Sequence, residues 1–588
     1  MASLFDSLGP EWRAPDVIDA VRSMAEADAT DRGAVFTRAE IVDAILDLSG
    51  YTADRPLSTC RLLEPSFGDG DFLVPAVSRL LESIERSGLE PARSLTALRL
   101  AVRGVELSRE HHARTTRRLV ALLCERGFSD AEAHSLCEVW LLCDDFLLCD
   151  PGAHFDFVVG NPPYVRQERI PAALLSEYRA RFNTLYDRAD LYVPFYERAL
   201  DLLKPGGTLG FICANRWIKN KYGGPLRNKI ASGFHVTHFI DMEDVDAFHA
   251  DVIAYPAITI IRRPALPGVS TLPTRIAARG AAAAMALGEL SGRLASPAAN
   301  DDAVQQVMLG GFGDAPWLFD DGPRLALLRK IEARFPTIEQ AGCKVGIGVA
   351  TGCDRVFIGD FDALEVELAR KLPLVMARDL VDGRIQWGGK GLVNPFETNG
   401  RLAELAAYPK FAAYIDLHRE AVAGRHVAAR SADRWYRTID RVYAELVQRP
   451  KLLIPDIKGA STVVLDEGHY YPHHNLYFVT AEDWDIRAVQ TVLRSSISIL
   501  TVASYCTRMA GGFLRFQAQY LRRIRIPLWQ QVPLSIRSEL VAASISQNQN
   551  DIDAPVFALF GLTAAEQHVA RIEADAAQVT TARRKLRA

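Results

Sequence analysis

The sequence predicts an α/β fold with a doubly wound parallel sheet, followed by a smaller mixed α+β domain. Short apolar, often β-branched runs alternate with helical stretches from residue 61 to about 262, as in a parallel sheet covered by helices. Composition changes over residues 264–300, first to Pro-rich and then to Ala/Gly-rich. Beyond about residue 310 the pattern is mixed, and 588 residues favour several domains.

The predicted elements follow in chain order. Residues 1–60 are mainly helical, and Thr37 is the predicted N-cap of the amphipathic stretch "TRAEIVDAILDLSG". Seven strands are predicted at "CRLLEP", "LRLAVRGVEL", "EVWLLCDDF", "FDFVVGNPPY", "GGTLGFICANRW", "HVTHFIDME" and "VIAYPAITIIRR". Helices such as "HHARTTRRLVALLCERG" and "LYVPFYERALDLLKPGG" separate them. We therefore expect a first domain over 1–265, a linker over 266–310, a second domain over 311–540 and a helical tail over 541–588 that ends in "TARRKLRA".

Bulk composition excludes some classes of protein. Hydrophobic content of 49% and charged content of 24% are ordinary for a soluble globular chain, and neither a membrane span nor a signal peptide is predicted. Nine cysteines without a CxxC pair indicate reduced thiols in a cytoplasmic protein. No metal site is predicted, because His473 and His474 have no partner at ligand spacing and suit a turn between strands.

The charge is uneven along the chain. Residues 1–250 hold 28 basic and 37 acidic side chains, whereas the remainder holds 40 and 35. This asymmetry favours a polyanionic partner for the C-terminal part, although chance variation between domains would also produce it.

The loop in "RLLEPSFGDGDFL" suggests a nucleotide-like ligand. Gly68 and Gly70 permit a tight turn and a close backbone approach, but the third glycine of a dinucleotide site is replaced by other residues. A pyrophosphate is poorly served by a loop this acidic. A cationic, phosphate-free nucleoside such as S-adenosylmethionine fits better, since the loop carries Glu64, Asp69 and Asp71.

Two further acids stand at the ends of the next strands. Glu106 ends "LRLAVRGVE", where a carboxylate accepts hydrogen bonds from ribose hydroxyls. Asp145 precedes Phe146, so that a carboxylate accepts from an adenine amine while an aromatic ring covers the base. Surface acids end strands routinely, but an acid at each of three successive strand ends favours a binding site.

The stretch "FDFVVGNPPY" leaves an apolar strand through an amide, two prolines and an aromatic residue. Pro162 and Pro163 fix the backbone, so the Pro162 carbonyl and the Asn161 side chain form a rigid pair of acceptors. Such a pair suits an NH2 group, and Tyr164 offers a flat face for the ring that bears it. Two hydrogen bonds aimed at a tetrahedral nitrogen stabilise a transition state in which the amine attacks a methyl sulfonium. Pro-Pro-Tyr is also a polyproline-II ligand motif, which normally lies in disordered segments.

These motifs resemble the gamma class, or Taq type, of N6-adenine-specific DNA methyltransferases of restriction–modification systems. "DDFLLCDPGAHFDFVVGNPPY", "FTRAE", "LLEPSFGDGDFL" and "DLYVPFYERALDLLKPGGTLGFICANRW" resemble its successive motifs, although Ser66 and Phe67 replace the usual small residue and cysteine of the glycine loop. The resemblance implies a Rossmann-like methyltransferase sheet, S-adenosylmethionine as cofactor, and double-stranded DNA as partner.

The resemblance also assigns roles to individual residues. It places Thr37 at the methionine end of the cofactor, and Ser66 and Pro163 are further predicted cofactor-binding residues. The segment "VDAFHADVIAYPAITIIRR" resembles the one whose aromatic residue stacks on an extruded base, which implies Phe248 beside Tyr164.

The C-terminal half resembles a target-recognition domain more loosely, at 371–397, 449–480 and 505–527. Candidates for phosphate or guanine contacts are Arg378, Arg434, Arg437, Arg515, Arg522, Arg523 and Arg525. "PDIK" at 455–458 looks like a fragment of a nuclease motif, but its acid and lysine are too close together. No cleavage activity is predicted, and a cognate endonuclease would be a separate chain.

The predicted function is therefore site-specific methylation of adenine N6 in DNA. Two alternatives stay open at this point. One is an amino-methyltransferase that acts on RNA or protein, and the other is a DNA-binding subunit of a phage-defence complex.

Overall fold

The computed structural model describes residues 14–28, 33, 35–88, 95–152, 154–242, 245, 247–248, 255–266, 272–278, 280–296, 302–308, 313–319, 322–425, 428, 434–458, 462–506 and 514–585. The chain divides into two compact units, Met1–Gly322 and Pro323–Ala588. Each unit is described by itself.

Unit 1 alternates helices and strands. Its strands are β1 (Leu62–Glu64), β2 (Val102–Glu106), β3 (Leu141–Cys143), β4 (Phe155–Gly160), β5 (Leu203–Ala214), β6 (His235–Asp241), β7 (Pro256–Arg262), β8 (Thr274–Ala277) and β9 (Val304–Val307). Its helices are α1 (Pro15–Glu26), α2 (Ala39–Ser49), α3 (Leu73–Arg86), α4 (Leu95–Ala101), α5 (Arg109–Glu125), α6 (Asp130–Trp140), α7 (Ala172–Arg181), α8 (Tyr192–Leu202), α9 (Arg216–Lys219), α10 (Gly224–Gly233), α11 (Ala281–Ala284) and α12 (Leu287–Ala295).

The strands form one sheet in the order β3-β2-β1-β4-β5-β7-β6-β8-β9. Strands β3, β2, β1, β4 and β5 are parallel to one another, whereas β7 runs antiparallel to β5 and β6. The chain order reverses between β1 and β4, and ligands of open α/β sheets bind at such a point, outside the carboxyl ends of the strands. All seven predicted strands coincide with β1–β7, so the predicted Rossmann-like α/β fold is confirmed.

Amphipathic helices explain how this sheet is covered. In α2 and α3, apolar residues recur at helical spacing and are buried, as Ile41, Ile45, Leu73, Val77 and Leu80 show. They belong to a core cluster that also contains Phe157 of β4, whose strand is almost completely buried. Burial on both faces is typical of a parallel sheet in an α/β protein.

The predicted linker over 266–310 is wrong for its described parts. Strands β8 and β9 lie in this range and extend the sheet beyond β6, and Thr274–Ala277 pairs with Val304–Val307. The Ala/Gly-rich stretch forms α11 and α12, so it belongs to unit 1. Strands of four residues beside Pro, Ala and Gly leave no recognisable hydrophobic pattern in the sequence, which explains the error.

Thr37 is not the N-cap of α2, contrary to prediction. The N-cap position is Arg38, and no side chain caps the helix. The Thr37 hydroxyl instead accepts a hydrogen bond from Asn161 Nδ2 at 3.2 Å, a tertiary contact that overrides the local capping preference.

Unit 2 mixes short strands with helices. Its strands are β10 (Cys343–Ile347), β11 (Ile358–Asp360), β12 (Lys371–Val375), β13 (Leu380–Val381), β14 (Arg384–Ile385), β15 (Lys390–Val393), β16 (Lys451–Pro455), β17 (Ile457–Lys458), β18 (Val464–Asp466), β19 (Tyr471–Pro472), β20 (Leu476–Ala481) and β21 (Leu514–Arg515). Its helices are α13 (Gly322–Arg334), which begins at the last residue of unit 1, α14 (Asp354–Phe357), α15 (Pro409–Leu417), α16 (Arg419–Ala423), α17 (Ile486–Arg494), α18 (Ser496–Tyr505), α19 (Ala518–Leu521), α20 (Leu534–Ala543), α21 (Gln549–Phe560) and α22 (Ala564–Lys585).

Two four-stranded sheets, β10-β20-β16-β18 and β11-β15-β12-β19, lie within unit 2, and β13-β14 and β17-β21 form two-stranded pairs. The predicted tail is part of this unit, because α22 packs against α18 and Asp553 of α21 accepts hydrogen bonds from Ser496 at 2.6 and 2.7 Å. Of the predicted recognition segments and basic tail, residues 459–461, 507–513 and 586–588 lie outside the described residues.

The histidine pair of unit 2 has a partner that its local sequence does not reveal. Asp354 Oδ2 lies 3.3 Å from His473 Nε2, and the potential ligand atoms of Asp354, His473 and His474 lie within 4.8 Å of one another. The expectation that the pair has no partner at ligand spacing is therefore wrong. The partner, Asp354, could not be found from the local sequence because it lies 119 residues away from His473. The hydrogen bond joins α14 to the turn that follows β19.

Among the described residues, no helix combines the length and hydropathy needed to cross a membrane. All nine cysteines are free thiols.

Candidate active site

The glycine loop follows β1 and is held in one conformation. Gly68 and Gly70 have φ values of +49° and +84°, which favour glycine. A Cβ on Gly70 would lie 2.9 Å from Cγ2 of Thr115, and Thr115 also donates its hydroxyl proton to the Gly68 carbonyl at 2.8 Å. Both predicted glycines are therefore required by the local geometry.

A cavity opens beside this loop at the carboxyl ends of β1–β4. It is partly open to solvent, and about 900 Å³ of space without protein atoms lies in it when the open part is included. It brings together most of the predicted cofactor residues, namely Thr37, Glu64, Ser66, Gly68, Glu106, Asp145, Phe146 and Pro163, and also Asn161. Gly70 does not line it but shapes the loop that does.

Glu64 is the unsatisfied acid of the cavity. Its side chain is 2% exposed, and Oε2 has no hydrogen-bond partner among the described residues. Burial first, and then the charges of Asp71 and Glu106, raises the pKa of the Glu64 carboxyl well above its usual value. A cation in the cavity would relieve this penalty.

Glu106 helps to shape the loop. Its carboxylate accepts hydrogen bonds from the backbone N–H groups of Gly68, at 2.9 Å, and Ser108, at 2.8 Å. Each carboxylate oxygen has a second lone pair, so Glu106 still has acceptor capacity toward the cavity.

Asp69 does not contribute free negative charge, contrary to our reasoning from sequence. It accepts hydrogen bonds from His111 Nδ1 at 2.6 Å and Arg114 Nη1 at 2.7 Å. Burial alone would raise the pKa of Asp69, but the hydrogen bonds and charges of these two partners outweigh it and lower that pKa. Asp71 accepts from the Thr37 backbone N–H at 3.1 Å. Glu64 is thus the acid that best fits a cationic group.

Asp145 and Phe146 also line the cavity. Asp145 accepts hydrogen bonds from the Leu147 backbone and from the Tyr178 hydroxyl. Phe146 is 2% exposed, and its ring lies 5.0 Å from the ring of Phe195. Tyr178 and Phe195 were missed from sequence, since buried aromatic residues on helices such as α7 and α8 look like ordinary core.

Asn161 follows β4 and has its amide group fixed. Nδ2 donates to the Val35 carbonyl at 3.0 Å and to Thr37 Oγ1 at 3.2 Å. Because both N–H groups are occupied, the free end of the amide is Oδ1. This atom is buried and has no hydrogen-bond partner among the described residues. The structure thus holds a preorganised acceptor at the wall of the cavity.

The segment formed by Gly33 and residues 35–38 joins the parts of the site, and we name it the N-terminal strap. Besides holding Asn161, it accepts the Tyr164 backbone N–H at the Gly33 carbonyl, at 3.1 Å. Arg38 Nε donates to the Phe248 carbonyl at 3.2 Å, and Thr37 pairs with Phe248 as an isolated antiparallel bridge. The strap therefore contacts the NPPY segment and the predicted base-stacking residue.

Tyr164 and Phe248, for which stacking on the target base stays a prediction, are neighbours in the structure. Their ring centroids are 6.1 Å apart, but the planes meet at 75°. Two rings at this angle cannot both lie parallel to one flat base, so one would stack and the other would contact the base through its edge. The Tyr164 hydroxyl is buried without a partner among the described residues, and burial raises its pKa well above the usual value.

Comparison with known proteins places this site in a family. The model of the Eco57I restriction-modification methylases matches residues 105–248, which run from the end of β2 to Phe248. The chain is 52% identical to the Type II methyltransferase M.PaeR7I of Pseudomonas aeruginosa over 93% of this chain and 96% of that protein. The chain belongs to the Type II methyltransferases of restriction–modification systems. The resemblance that the sequence motifs indicated is thus confirmed at this level.

Further relatives of this Type II methyltransferase agree. It is 51% identical to M.XhoI of Xanthomonas vasicola, over 92% of this chain and 99% of that protein, and 40% identical to M.BstVI of Geobacillus stearothermophilus, over 91% and 97%. The structure of the Type IIL restriction-modification enzyme MmeI is similar with a TM-score of 0.58 at 12% identity, over 95% of this chain and 80% of that chain. This last likeness concerns the fold alone.

The predicted DNA-binding arginines of unit 2 differ in availability. Arg515 is paired with Asp456, and Arg522 with Glu339 at 3.1 Å and the Val345 carbonyl at 2.8 Å. Arg523 lies over the Tyr505 ring at 4.4 Å. Among the described residues, the side chains of Arg437 and Arg525 make long hydrogen bonds of 3.3–3.4 Å to backbone carbonyls, and Arg434 is exposed. Arg378 is exposed and has no ion pair or hydrogen bond from its side chain within the described residues, so it is the most available of them.

Proposed function

We propose that the protein transfers the methyl group of S-adenosylmethionine to the N6 amine of an adenine that is flipped out of double-stranded DNA. The observation that carries this proposal is the fixed amide of Asn161, whose Oδ1 is buried at the wall of the cavity and has no hydrogen-bond partner among the described residues. A buried polar atom without a partner costs about 1–3 kcal/mol, which a bound donor would recover.

The residues present fit S-adenosylmethionine. Glu64 offers a buried carboxylate whose Oε2 has no hydrogen-bond partner among the described residues, and Glu106 has acceptor capacity for the ribose hydroxyls. Asp145 lines the cavity with a carboxylate, the type of group that accepts from an adenine amine, and Phe146 provides an apolar wall. When bound, the cofactor supplies an electrophilic methyl group on a sulfonium.

The chain's own part in the reaction is to hold and polarise the attacking amine. The lone pair of the exocyclic amine is delocalised into the base, so the planar amine is a weak nucleophile. The Asn161 Oδ1 and the Pro162 carbonyl accept hydrogen bonds from the two N–H groups and favour the pyramidal nitrogen of the transition state. Tyr164 stacks on the flipped base and returns roughly 1–3 kcal/mol of the unstacking cost. No acid, metal or covalent intermediate is needed for this step.

Cytosine also bears an exocyclic NH2, and the geometry at Asn161 would accept either base. The likeness of the NPPY region to the adenine-specific class favours adenine. Methylation of RNA or protein is disfavoured by membership of the restriction–modification methyltransferases. We also propose that the cognate endonuclease is a separate chain, because Asp456 of the "PDIK" fragment is engaged by Arg515 within unit 2.

The test is direct identification of the product. Purified protein and tritiated S-adenosylmethionine are incubated in parallel reactions that contain duplex DNA, structured RNA or a mixed protein fraction. Nucleosides from the DNA are then separated by chromatography. The proposal expects label in N6-methyladenine from duplex DNA alone. Label in N4-methylcytosine would contradict adenine specificity, and label in RNA or protein would contradict the substrate class.

A further inference from the structure

A short β-hairpin projects from the surface of unit 2. Leu380 pairs with Ile385, and Val381 pairs with Arg384. The two residues between them, Asp382 and Gly383, have φ values of 48° and 77°. Positive φ at both central positions defines the type I′ turn, whose twist matches that of a two-stranded ribbon.

The two faces of this hairpin differ. On the inner face, Leu380 is 5% exposed and packs with Ile385 against a core that contains Val375, Leu453 and Val464. On the outer face Val381 and Arg384 are exposed. Because side chains alternate along an extended chain, the exposed Gln386 follows Arg384 on the same outer side.

The base of the hairpin is rigidly anchored. The Trp387 indole donates to the carbonyls of Leu374 at 2.9 Å and Lys390 at 3.2 Å. The Gln386 backbone N–H donates to the Asp379 carbonyl at 2.8 Å, and the buried Asp379 carboxylate accepts from the Met376 N–H at 2.8 Å. Little backbone entropy is therefore left to lose when the exposed side meets a partner.

The exposed side carries chemistry suited to base edges. Within the described residues, no hydrogen bond or ion pair engages the side chains of Arg384 and Gln386. Arginine pairs bidentately with guanine and glutamine with adenine in the major groove, which admits a two-stranded ribbon. Residues two apart in a strand are about 6.8 Å apart, which equals about two base-pair steps of 3.4 Å.

We propose that the hairpin over residues 380–386 enters the major groove of the substrate DNA and reads its sequence through Arg384 and Gln386. The exposed Arg378, at the foot of the hairpin, then contacts a flanking phosphate. This inference rests on the proposed function and adds to it the element that selects the site.

The experiment first maps methylated adenines in DNA from cells that express the wild-type chain, which gives the recognition sequence. Arg384→Ala, Gln386→Ala and the matched control Arg419→Ala are then assayed on duplexes carrying each single-base change in that sequence. Arg419 lies on α16, paired with Asp416 at 2.7 Å, and its loss removes the same charge. Each hairpin variant should lose discrimination at its own base pair by about 5- to 150-fold, while other positions stay unchanged.

The outcomes separate the two levels of the proposal. Unchanged discrimination in both hairpin variants, or an equal change in Arg419→Ala, would overturn the role of the hairpin. A uniform loss of affinity across all sequences, with a smaller salt slope, would also overturn sequence reading, since it indicates phosphate contact. Failure of the wild-type chain to methylate DNA would instead contradict the proposed function itself.

Discussion

The Thr37→Val substitution tests whether the N-terminal strap orients the catalytic amide. Thr37 is 3% exposed, and its Oγ1 accepts one of the two N–H groups of Asn161. Valine keeps the shape of threonine but removes this acceptor. The remaining hydrogen bond, from Nδ2 to the Val35 carbonyl at 3.0 Å, still disfavours a flipped amide, which would bring two oxygens together.

The magnitude follows from the loss of one neutral hydrogen bond. A net contribution of about 0.5–1.5 kcal/mol to the productive orientation corresponds to a fall in kcat of about 2- to 13-fold. This is well below the roughly 10²- to 10³-fold expected when a preorganised polar group itself is removed. Thr37→Ser keeps the hydroxyl and should retain most of the turnover.

The assay must separate orientation from cofactor binding, because the family resemblance places Thr37 at the methionine end of S-adenosylmethionine. Steady-state methyl transfer gives kcat and the KM for the cofactor, and calorimetry gives its Kd. A positioning role predicts a lower kcat with nearly unchanged Kd. A higher Kd with unchanged kcat at saturation would refute the reasoning, as would a Thr37→Ser variant as impaired as Thr37→Val.

Three further substitutions probe the same site. Asn161→Ala should lower kcat by about 10²- to 10³-fold with cofactor binding retained, and near-normal turnover would contradict the role of its carbonyl. Glu64→Gln should weaken cofactor binding by about 10- to 150-fold in calorimetry, from the loss of a charged hydrogen bond. The same change should stabilise the apoprotein in thermal unfolding at neutral pH. The pKa of Glu64 is raised in the folded protein, so its protonated form favours folding at low pH and this contribution is lost as pH rises through the folded pKa. The advantage of glutamine over glutamate should therefore be present at neutral pH and vanish in acid. Gly33→Ala places a Cβ 2.6 Å from the Tyr164 backbone carbon at a φ of +65°, and we expect at least a tenfold loss of kcat. Gly88→Ala has a similar φ of +74° but open space, so it carries the backbone strain without the clash. Equal effects of the two glycine substitutions on turnover would argue against a role for Gly33 in placing Tyr164.

Unit 1 was predictable because its candidate site residues follow the carboxyl ends of parallel strands. Glu64, Glu106 and Asn161 stand where β1, β2 and β4 end, and the rule that such ends meet at one edge brings them together. The β-branched runs and the glycine loop supplied the order of the elements. Asp69 belongs to the same loop, yet its charge is cancelled by His111 and Arg114, which a reading of loop composition does not reveal.

Unit 2 was less predictable, since its contacts join distant parts of the chain. In sequence, Arg515 and Arg522 cannot be distinguished from Arg378. In the structure, Asp456 pairs with Arg515 from 59 residues away, and Glu339 pairs with Arg522 from 183 residues away. Asp354 reaches His473 across a comparable separation. Strands of two residues, such as β13 and β14, are too short to leave a periodic pattern, although the Asp-Gly turn between them is a recognised hairpin signal.

The NPPY segment alone does not make the site. The family model begins at residue 105, yet the atoms that orient Asn161 lie at Val35 and Thr37, 126 and 124 residues before it. The side-chain amide of an asparagine can turn about its Cβ–Cγ bond unless its N–H groups are held, and a rotated amide would present N–H donors where acceptors are needed. The polarity that the reaction requires is therefore set by the N-terminal strap. If the proposed mechanism holds, catalytic competence therefore depends on contacts between segments more than 100 residues apart, which the hydrogen bonds of the strap to Asn161, Tyr164 and Phe248 supply.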